Sequence, residues 1–315
     1  MKTKVFIDGS EGTTGLRIHE RFQNRDDIEL LTISPELRKD TAERKKLINA
    51  SDITFLCLPD AAAKEAVSLV ENDHVRIIDS STAHRTLEGW AYGFAELSTS
   101  HRNAIQSGKR IAVPGCHATG FLSLAYPLTK GGILPSDYPV SAFSITGYSG
   151  GGKKMIAEYE ASDRSPEYEA PREYALSQQH KHLKEMKAIA GFDKEPLFSP
   201  IVSGYYSGMV VSLPLYSDLL LKKMTPQEIH AYFTDFYKDE PFITIQPFGT
   251  EAESRGFLSG NKCSGWDGLE IFVTGNEDRI LLSSRFDNLG KGASGAAIQC
   301  LNIMLGCDER TGLNL

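Results

Sequence analysis

KVFIDGSEGTTGLRIHERFQ, residues 4–23, decides the fold. KVFI (4–7) is a short apolar run suited to a buried strand. TTGLRIHERFQ (13–23) spaces Leu16, His19 and Phe22 at helical intervals. Between them stand Gly9, Gly12 and Gly15, interleaved with Ser10, Thr13 and Thr14. Glycine lets a backbone approach a pyrophosphate, and a helix N-terminus offers unpaired N–H groups to it. The spacing G-x-x-G-x-x-G varies on the commoner G-x-G-x-x-G, so the pattern alone also fits a ligand-free turn. Its position between the first strand and the first helix favours a dinucleotide.

The same alternation continues outward. IELLTI (28–33), DITFLCL (52–58) and VRIID (75–79) read as strands, with TAERKKLINA (41–50) and AAAKEAVSLVE (61–71) as helices between them. Strands separated in this way imply parallel βαβ units and a Rossmann-type α/β domain. After IAVPG (111–115) the texture changes. FLSLAYPL (121–128) continues a helix from the preceding cysteine, and SAFSITGYSGGG (141–152) is a strand running into glycines. EYALSQQHKHLKEMKAIAG (173–191) reads as one helix, with Leu176, His180 and Leu183 on one side and Gly191 as its stop. Thr225 and Pro226 open a helix over TPQEIHAYFTDFY (225–237). LFSPIVS (197–203), GMVVSLPLY (208–216), FITIQPF (242–248), LEIFVTG (269–275) and RILLSSRFD (279–287) are strands. The second half is therefore expected to be an α+β domain with a mostly antiparallel sheet. GASGAAIQCLNIMLG (292–306) is too apolar to stand alone and is expected to pack on the first domain. The expected division is 1–115 with 290–315 for the dinucleotide domain, and 116–289 for a catalytic and oligomerisation domain.

The 315 residues suffice for two domains with their own cores. Lys+Arg number 34 against Asp+Glu 41, a net charge of -7, which gives no electrostatic case for nucleic acid or an acidic membrane as partner. No run approaches the ~20 apolar residues of a membrane span, and the apolar start VFI ends at Asp8, unlike a signal peptide. A cytoplasmic location is expected. Cysteines 57, 116, 263, 300 and 307 are odd in number and form no CxxC, which reads as reduced thiols rather than disulfides or a zinc site.

Strand two runs into Ser34-Pro35-Glu36-Leu37-Arg38-Lys39. Ser34 is small and uncharged, and Arg38 and Lys39 suit a 2′-phosphate, which favours NADP(H) over NAD; Glu36 argues the other way. In VPGCHATGF (113–121) Cys116 falls in the first turn of a helix, where dipole and free N–H groups favour a thiolate. A buried structural cysteine fits that position as well. A nucleophile needs an acid/base partner, and His180 and His182 stand out in QQHKHLKE (178–185). On a helix, residues two apart point to different faces, so one of them reaches a shared site; His180, beside Leu176 and Leu183, is the one expected to face inward. His117 is expected to point elsewhere. Metal binding by HKH has no support from its geometry, and no metal is expected. A dinucleotide and a thiolate together suggest aldehyde chemistry through a thioester.

GSEGTTG (9–15), DSSTAHR (79–85), VPGCHATG (113–120), GYSGGGKK (147–154), HKH (180–182) and DNLGKGASGAAIQ (287–299) occur in order over nearly the whole chain. With them the sequence resembles the N-acetyl-gamma-glutamyl-phosphate reductases of arginine biosynthesis, in their shorter variant. The resemblance implies NADPH-dependent reduction of N-acetyl-glutamyl 5-phosphate to the 5-semialdehyde through a thioacyl enzyme. It implies Cys116 as nucleophile and His180 or His182 as acid/base. Asn288 and Gly290 would wall the nicotinamide, Arg85 would hold the substrate phosphate, and Ser149 and Gly150 would shape the substrate pocket through backbone N–H groups. Lys153 and Lys154 would attract an anionic substrate. A homo-oligomer, dimer or tetramer, is expected. The competing readings are an aspartate-semialdehyde dehydrogenase with the same architecture, a hydrolytic aldehyde dehydrogenase, and a non-catalytic NADP-binding redox sensor.

Overall fold

A computed structural model describes residues 2–250 and 255–315. The chain forms two compact units, one running up to Gly115 and completed by Ala293–Leu313, the other Cys116–Gly292 with Asn314–Leu315.

The first unit runs β1 (Thr3–Asp8), α1 (Thr13–Phe22), β2 (Ile28–Leu31), α2 (Thr41–Ala50), β3 (Ile53–Leu56), α3 (Asp60–Ser68), β4 (Arg76–Asp79), β5 (Ala91–Tyr92), α4 (Thr99–Ser107) and β6 (Arg110–Ala112). The six strands form one sheet in the order β2-β1-β3-β4-β6-β5, and every pairing is parallel. Successive side chains of a strand point to opposite faces, so the strands build two cores. Val5, Ile7, Phe55 and Ile78 pack with Ile18 and Phe22 of α1, Ile105 of α4 and Ala297, Ile298 and Leu301 near the C-terminus. Phe6, Leu56 and Ile77 pack on the other side with Ile48 of α2 and Ala63 and Ala66 of α3. In α1 the buried face is Gly15, Ile18 and Phe22. Leu16, counted on the apolar stripe from spacing, is 47% exposed.

The second unit runs α5 (Cys116–Lys130), β7 (Ser141–Gly147), α6 (Gly152–Glu160), β8 (Arg172–Glu173), α7 (Leu183–Ala190), β9 (Leu197–Ser203), β10 (Met209–Tyr216), α8 (Pro226–Phe236), β11 (Ile243–Ile245), β12 (Leu269–Gly275) and β13 (Arg279–Phe286). Its sheet has the order β11-β12-β13-β10-β7-β9-β8. The sheet is mixed: four of its six pairings among the described residues are antiparallel, but β7 pairs with β9 in parallel along its whole length, and β11 with β12. Parallel neighbours need a crossover of a dozen or more residues, and α6 and α7 supply it between β7 and β9. α5 lies on this sheet at Gly120, where a Cβ would come within 2.4 Å of Val211 Cγ2. Thr225 caps α8 in a reciprocal capping box with Glu228. The last helix, α9 (Gly295–Leu305), belongs to the first unit, and Gly295 to Met304 are buried throughout. No helix among the described residues is long and apolar enough to cross a membrane.

A side chain at Gly15 would place its Cβ 2.4 Å from the Gly9 carbonyl oxygen. Gly15→Ala should therefore destabilise the protein by about 1–3 kcal/mol through overpacking, read as a lower urea midpoint. An unchanged midpoint would contradict this packing of α1 on the glycine turn.

Candidate active site

In the first unit the chain leaves β1 to one side for β2 and returns to the other for β3, so β1 and β3 flank a topological switch point, the usual place for a ligand crevice. The three glycines after β1 do separate work. Gly9 has φ +90°, and a Cβ on it would lie 2.4 Å from the Cys57 carbonyl oxygen at the end of β3. Gly12 is the N-cap of α1 and offers no side-chain cap. Gly15 sets the helix against the turn. Thr13 Oγ1 is buried and has no hydrogen-bond partner among the described residues. A buried hydroxyl without a partner, beside a helix terminus whose N–H groups are uncapped, fits the oxygens of a bound pyrophosphate. Ser10 and Thr14 belong to the same turn. The Ser34 carbonyl accepts the Leu37 N–H at 3.0 Å, and the turn so made presents Arg38, whose Nη1 lies 3.9 Å from Glu11 Oε2 with both side chains exposed. The cation therefore stands next to the phosphate-type loop.

The DSSTAHR stretch after β4 is a braced loop. Asp79 accepts from the Ser81 N–H and Oγ and lies 2.6 Å from His84 Nδ1, and the His84 ring stacks on Trp90. Arg85 donates Nε to the Val113 carbonyl at 2.9 Å and Nη2 to the Ser80 carbonyl at 3.0 Å. Two sides of its guanidinium are thus committed to the loop's backbone.

In the second unit Cys116 is the first residue of α5, so its sulfur sits at the positive end of the helix dipole. A Cβ on Gly292 would come within 2.9 Å of Cys116 Cβ, so the DNLGKG segment passes directly against the cysteine. Asn288 clamps this region: its Oδ1 accepts the Gly208 N–H at 2.8 Å and its Nδ2 donates to Ser149 Oγ at 3.0 Å. Gly290 lets the chain pass Trp266, whose carbonyl oxygen would be 2.4 Å from an added Cβ. The Ser149 N–H is spent on the Tyr206 carbonyl at 2.9 Å, so it is not free to bind substrate in the manner expected. Gly150 lies beside it, 3.3 Å from Asn288 Nδ2 when given a Cβ. Ser149 and Gly150 lie in a short 3-10 turn, Tyr148–Gly151. Lys153 and Lys154 follow in the first turn of α6.

The single helix expected over 173–191 does not form. α7 begins only at Leu183, and Leu176 is 74% exposed. The segment before it is tied to β9 instead. The Tyr174 N–H donates to the Pro200 carbonyl, and the Gln178 amide both donates to and accepts from the Phe198 backbone, each at 2.9 Å. Ala175 and Gln178 take positive φ to make the turn. Freed from helical geometry, both histidines reach one place: the rings of His180 and His182 are 4.7 Å apart, and they lie 5.3 and 5.6 Å from the ring of His117. Helix faces therefore do not separate His180 from His182, and His182 is the more buried. His117 does not point away from the cluster. It is its centre, with Nδ1 2.7 Å from Ser144 Oγ and Nε2 2.7 Å from Tyr174 Oη. Burial, with the nearby His180 and Lys181, depresses its pKa to about 3. Tyr174 is held as a phenol, its pKa raised by burial and then by the charge of Cys116.

Residues 3–106 match the semialdehyde dehydrogenase NAD binding domain, and residues 116–288 the semialdehyde dehydrogenase dimerisation domain. The chain belongs to the semialdehyde dehydrogenase family. Among curated members, N-acetyl-gamma-glutamyl-phosphate reductase 2 of Nostoc sp. is 45% identical over 99% of both chains. The N-acetyl-gamma-glutamyl-phosphate reductase of Brucella ovis is 44% identical over 97% of this chain and 100% of its own. Two solved semialdehyde dehydrogenases share the fold at low identity. Aspartate semialdehyde dehydrogenase II of Vibrio cholerae superposes with a TM-score of 0.72 at 15% identity, covering 97% of this chain and 99% of its own. The Francisella tularensis aspartate semialdehyde dehydrogenase gives 0.73 at 16%, covering 96% and 100%. In this semialdehyde dehydrogenase the residues that sequence reasoning missed are His117, Ser144 and Tyr174. Adjacency of His117 to Cys116 was the available signal; the turn that brings Tyr174 over it rests on two positive-φ residues that are not glycine.

Burial of neutral His117 makes acid stability a direct readout. The unfolded state takes up a proton below pH 6.5, whereas the folded state resists it down to about pH 3. Stability is thus fully present above 6.5 and falls as the pH drops towards 3, by about 2 kcal/mol between pH 7 and 5 from this group alone. Urea unfolding of His117→Gln should show a correspondingly flatter loss across that window. An identical slope in both proteins would show that His117 titrates normally.

Proposed function

We infer that the chain catalyses the NADPH-dependent reduction of N-acetyl-L-glutamyl 5-phosphate to N-acetyl-L-glutamate 5-semialdehyde, with release of phosphate. The observation that carries this is near-full-length identity of 45% to a curated reductase named for that acyl phosphate. A cysteine at a helix start beside a cluster of imidazoles supports it. The Cys116 thiolate attacks the acyl carbonyl carbon; the C–O bond to phosphate breaks and a thioacyl group remains on the sulfur. N–H groups of the first turn of α5 are aligned to stabilise the thiolate and then the oxyanion. The Gly9–Gly15 turn with Ser10, Thr13 and Thr14 would hold the pyrophosphate of NADPH, and Ser34 and Arg38 its 2′-phosphate; the bound cofactor would supply the hydride that reduces the acyl carbon, after which the C–S bond breaks, the semialdehyde leaves and the Cys116 thiolate is restored. Proton movement falls to His180 or His182, since both ring nitrogens of His117 are engaged by Ser144 and Tyr174. Asn288 and Gly290 hold the strand-to-helix segment that passes Cys116. Arg85 remains the candidate for the phosphate group, and Ser149 and Gly150 for the rim of the acyl site. Thiolate chemistry and five cysteines held as thiols suit a reducing compartment such as the cytoplasm.

The test is phosphate-dependent oxidation of N-acetylglutamate semialdehyde with NADP, run beside NAD and beside aspartate semialdehyde. We expect NADP and the acetylated substrate to be preferred, and Cys116→Ser to lower kcat by at least about 10³-fold. Faster turnover of aspartate semialdehyde, or an active Cys116→Ser, would overturn the reading.

The oligomer is proposed to form through the second unit's sheet. Phe143 and Ile145 of β7, Leu197 of β9, Tyr216 of β10 and Leu281 of β13 are exposed. The strand registers place them on the sheet face opposite buried Ser144 and Phe198. An apolar sheet face of this kind on a dimerisation domain suits a second copy of the chain. Light scattering of the wild type should give a multiple of the 34.7 kDa chain mass, and Ile145→Asp should shift it towards the monomer. A monomeric wild type would exclude the interface.

A further inference from the structure

His117 stands next to the nucleophile, is buried, and carries two hydrogen bonds of 2.7 Å, one from each ring nitrogen. A neutral imidazole has one donor and one acceptor nitrogen. Its two partners, Ser144 Oγ and Tyr174 Oη, are both hydroxyls and can each donate or accept. The chain of three groups therefore has two possible orders. In one, Ser144 donates to Nδ1, Nε2–H donates to the Tyr174 oxygen, and the phenol proton is left to point outward. In the other, the phenol proton is consumed on Nε2 and the phenol presents only lone pairs. Cys116 is close enough for its charge to act on the Tyr174 phenol, and a negative sulfur there selects the first order, because an O–H faces an anion favourably and lone pairs do not.

We propose that His117 is a positioning residue, which with Ser144 fixes the Tyr174 hydroxyl as a hydrogen-bond donor towards Cys116 and the acyl oxygen attached to it. The proposal rests on Cys116 carrying the acyl group. It gives work to three side chains that the acid/base step does not use. It also accounts for the course of the 174–182 segment. The Gln178 amide and the Tyr174 N–H pin that segment to β9, which sets the phenol above His117. Ser144 cannot move away, since it lies inside β7 between β9 and β10 with its side chain fully buried. Phe198 closes the remaining side of the ring, with centroids 5.2 Å apart. The imidazole is thereby fixed in plane as well as in tautomer, and it stays neutral among Lys181 and the two other histidines, so it does not repel a proton held on His180 or His182.

The test is steady-state kinetics of the full-length enzyme, with KM and kcat separated. A glutamine amide at 117 reaches the position of Nε2 and keeps the bond to Tyr174; an asparagine amide reaches that of Nδ1 and keeps only the bond to Ser144. We expect His117→Asn and Tyr174→Phe each to lower kcat about tenfold, the size of one hydrogen bond, with KM within about twofold. His117→Gln should stay within about threefold of wild type. The His117→Asn/Tyr174→Phe double variant should be no slower than either single one, because both remove the same bond. Additive losses, a glutamine variant slower than the asparagine one, or an effect on KM alone would overturn the proposal. Tyr174→Phe fills the same space as the wild-type ring and carries the test by itself if the histidine variants do not fold; an unchanged kcat in it overturns the proposal. Cys116→Ser in the same assay separates the two levels: retained turnover there defeats the thioacyl reading itself, whereas an inactive Cys116→Ser with a fully active Tyr174→Phe defeats only the role given to His117.

Discussion

A cysteine placed on the first turn of a buried helix is the constraint around which the second unit is arranged. The N–H groups of that turn have no partners within the helix, and the helix dipole favours negative charge there. The chain approaches the helix start closely from two sides. Gly120 brings α5 down onto β10, and Gly292 lets the DNLGKG segment pass against the Cys116 Cβ. Neither position has room for a side chain. Asn288 then locks that segment to the Gly208 backbone and to Ser149. The backbone that carries the sulfur is thus fixed, which suits the nucleophilic role proposed for Cys116.

The first unit meets a different demand with similar means. Its glycine turn must leave room for a ligand backbone and still pack α1 against β1. Gly9 relieves the collision with Cys57, Gly15 relieves the collision with Gly9, and Gly12 stays uncapped at the helix start. Thr13 Oγ1 is left buried and without a partner among the described residues, a cost that a phosphate oxygen bound there as proposed would remove. Stability and the proposed binding would therefore be coupled in this turn: the features that leave it poorly satisfied by itself suit it to a phosphate.

Much of this was legible in the sequence because it depends on local rules. β1 and α1 followed from period and glycine position, and the strands LFSPIVS and LEIFVTG form over the stretches their apolar patterns marked. What failed depended on contacts distant in the chain. The 173–191 stretch has helical spacing, yet its first half is drawn to β9 by the Gln178 amide, and tertiary hydrogen bonds outweigh a weak propensity. That same event moved His180 and His182 off a helix and onto His117. The parallel pairing of β7 with β9 was hidden for a related reason: strand patterns give no direction, and the crossover that fixes it includes α6, which opens on Gly151 and Gly152 and looked like the end of a strand. Leu16 misled because a single exposed leucine is common and periodicity alone does not show which of two offset stripes faces the sheet.

The central claim is that the Cys116 sulfur becomes acylated during turnover. Enzyme given N-acetylglutamate semialdehyde and NADP without phosphate should accumulate that species, because the step that removes the acyl group lacks its nucleophile. Acid quenching followed by peptide mass spectrometry should find an N-acetylglutamyl group on the peptide containing Cys116 and on no other cysteine peptide. NADPH formation without any such adduct, or with the adduct on a different residue, would contradict the account.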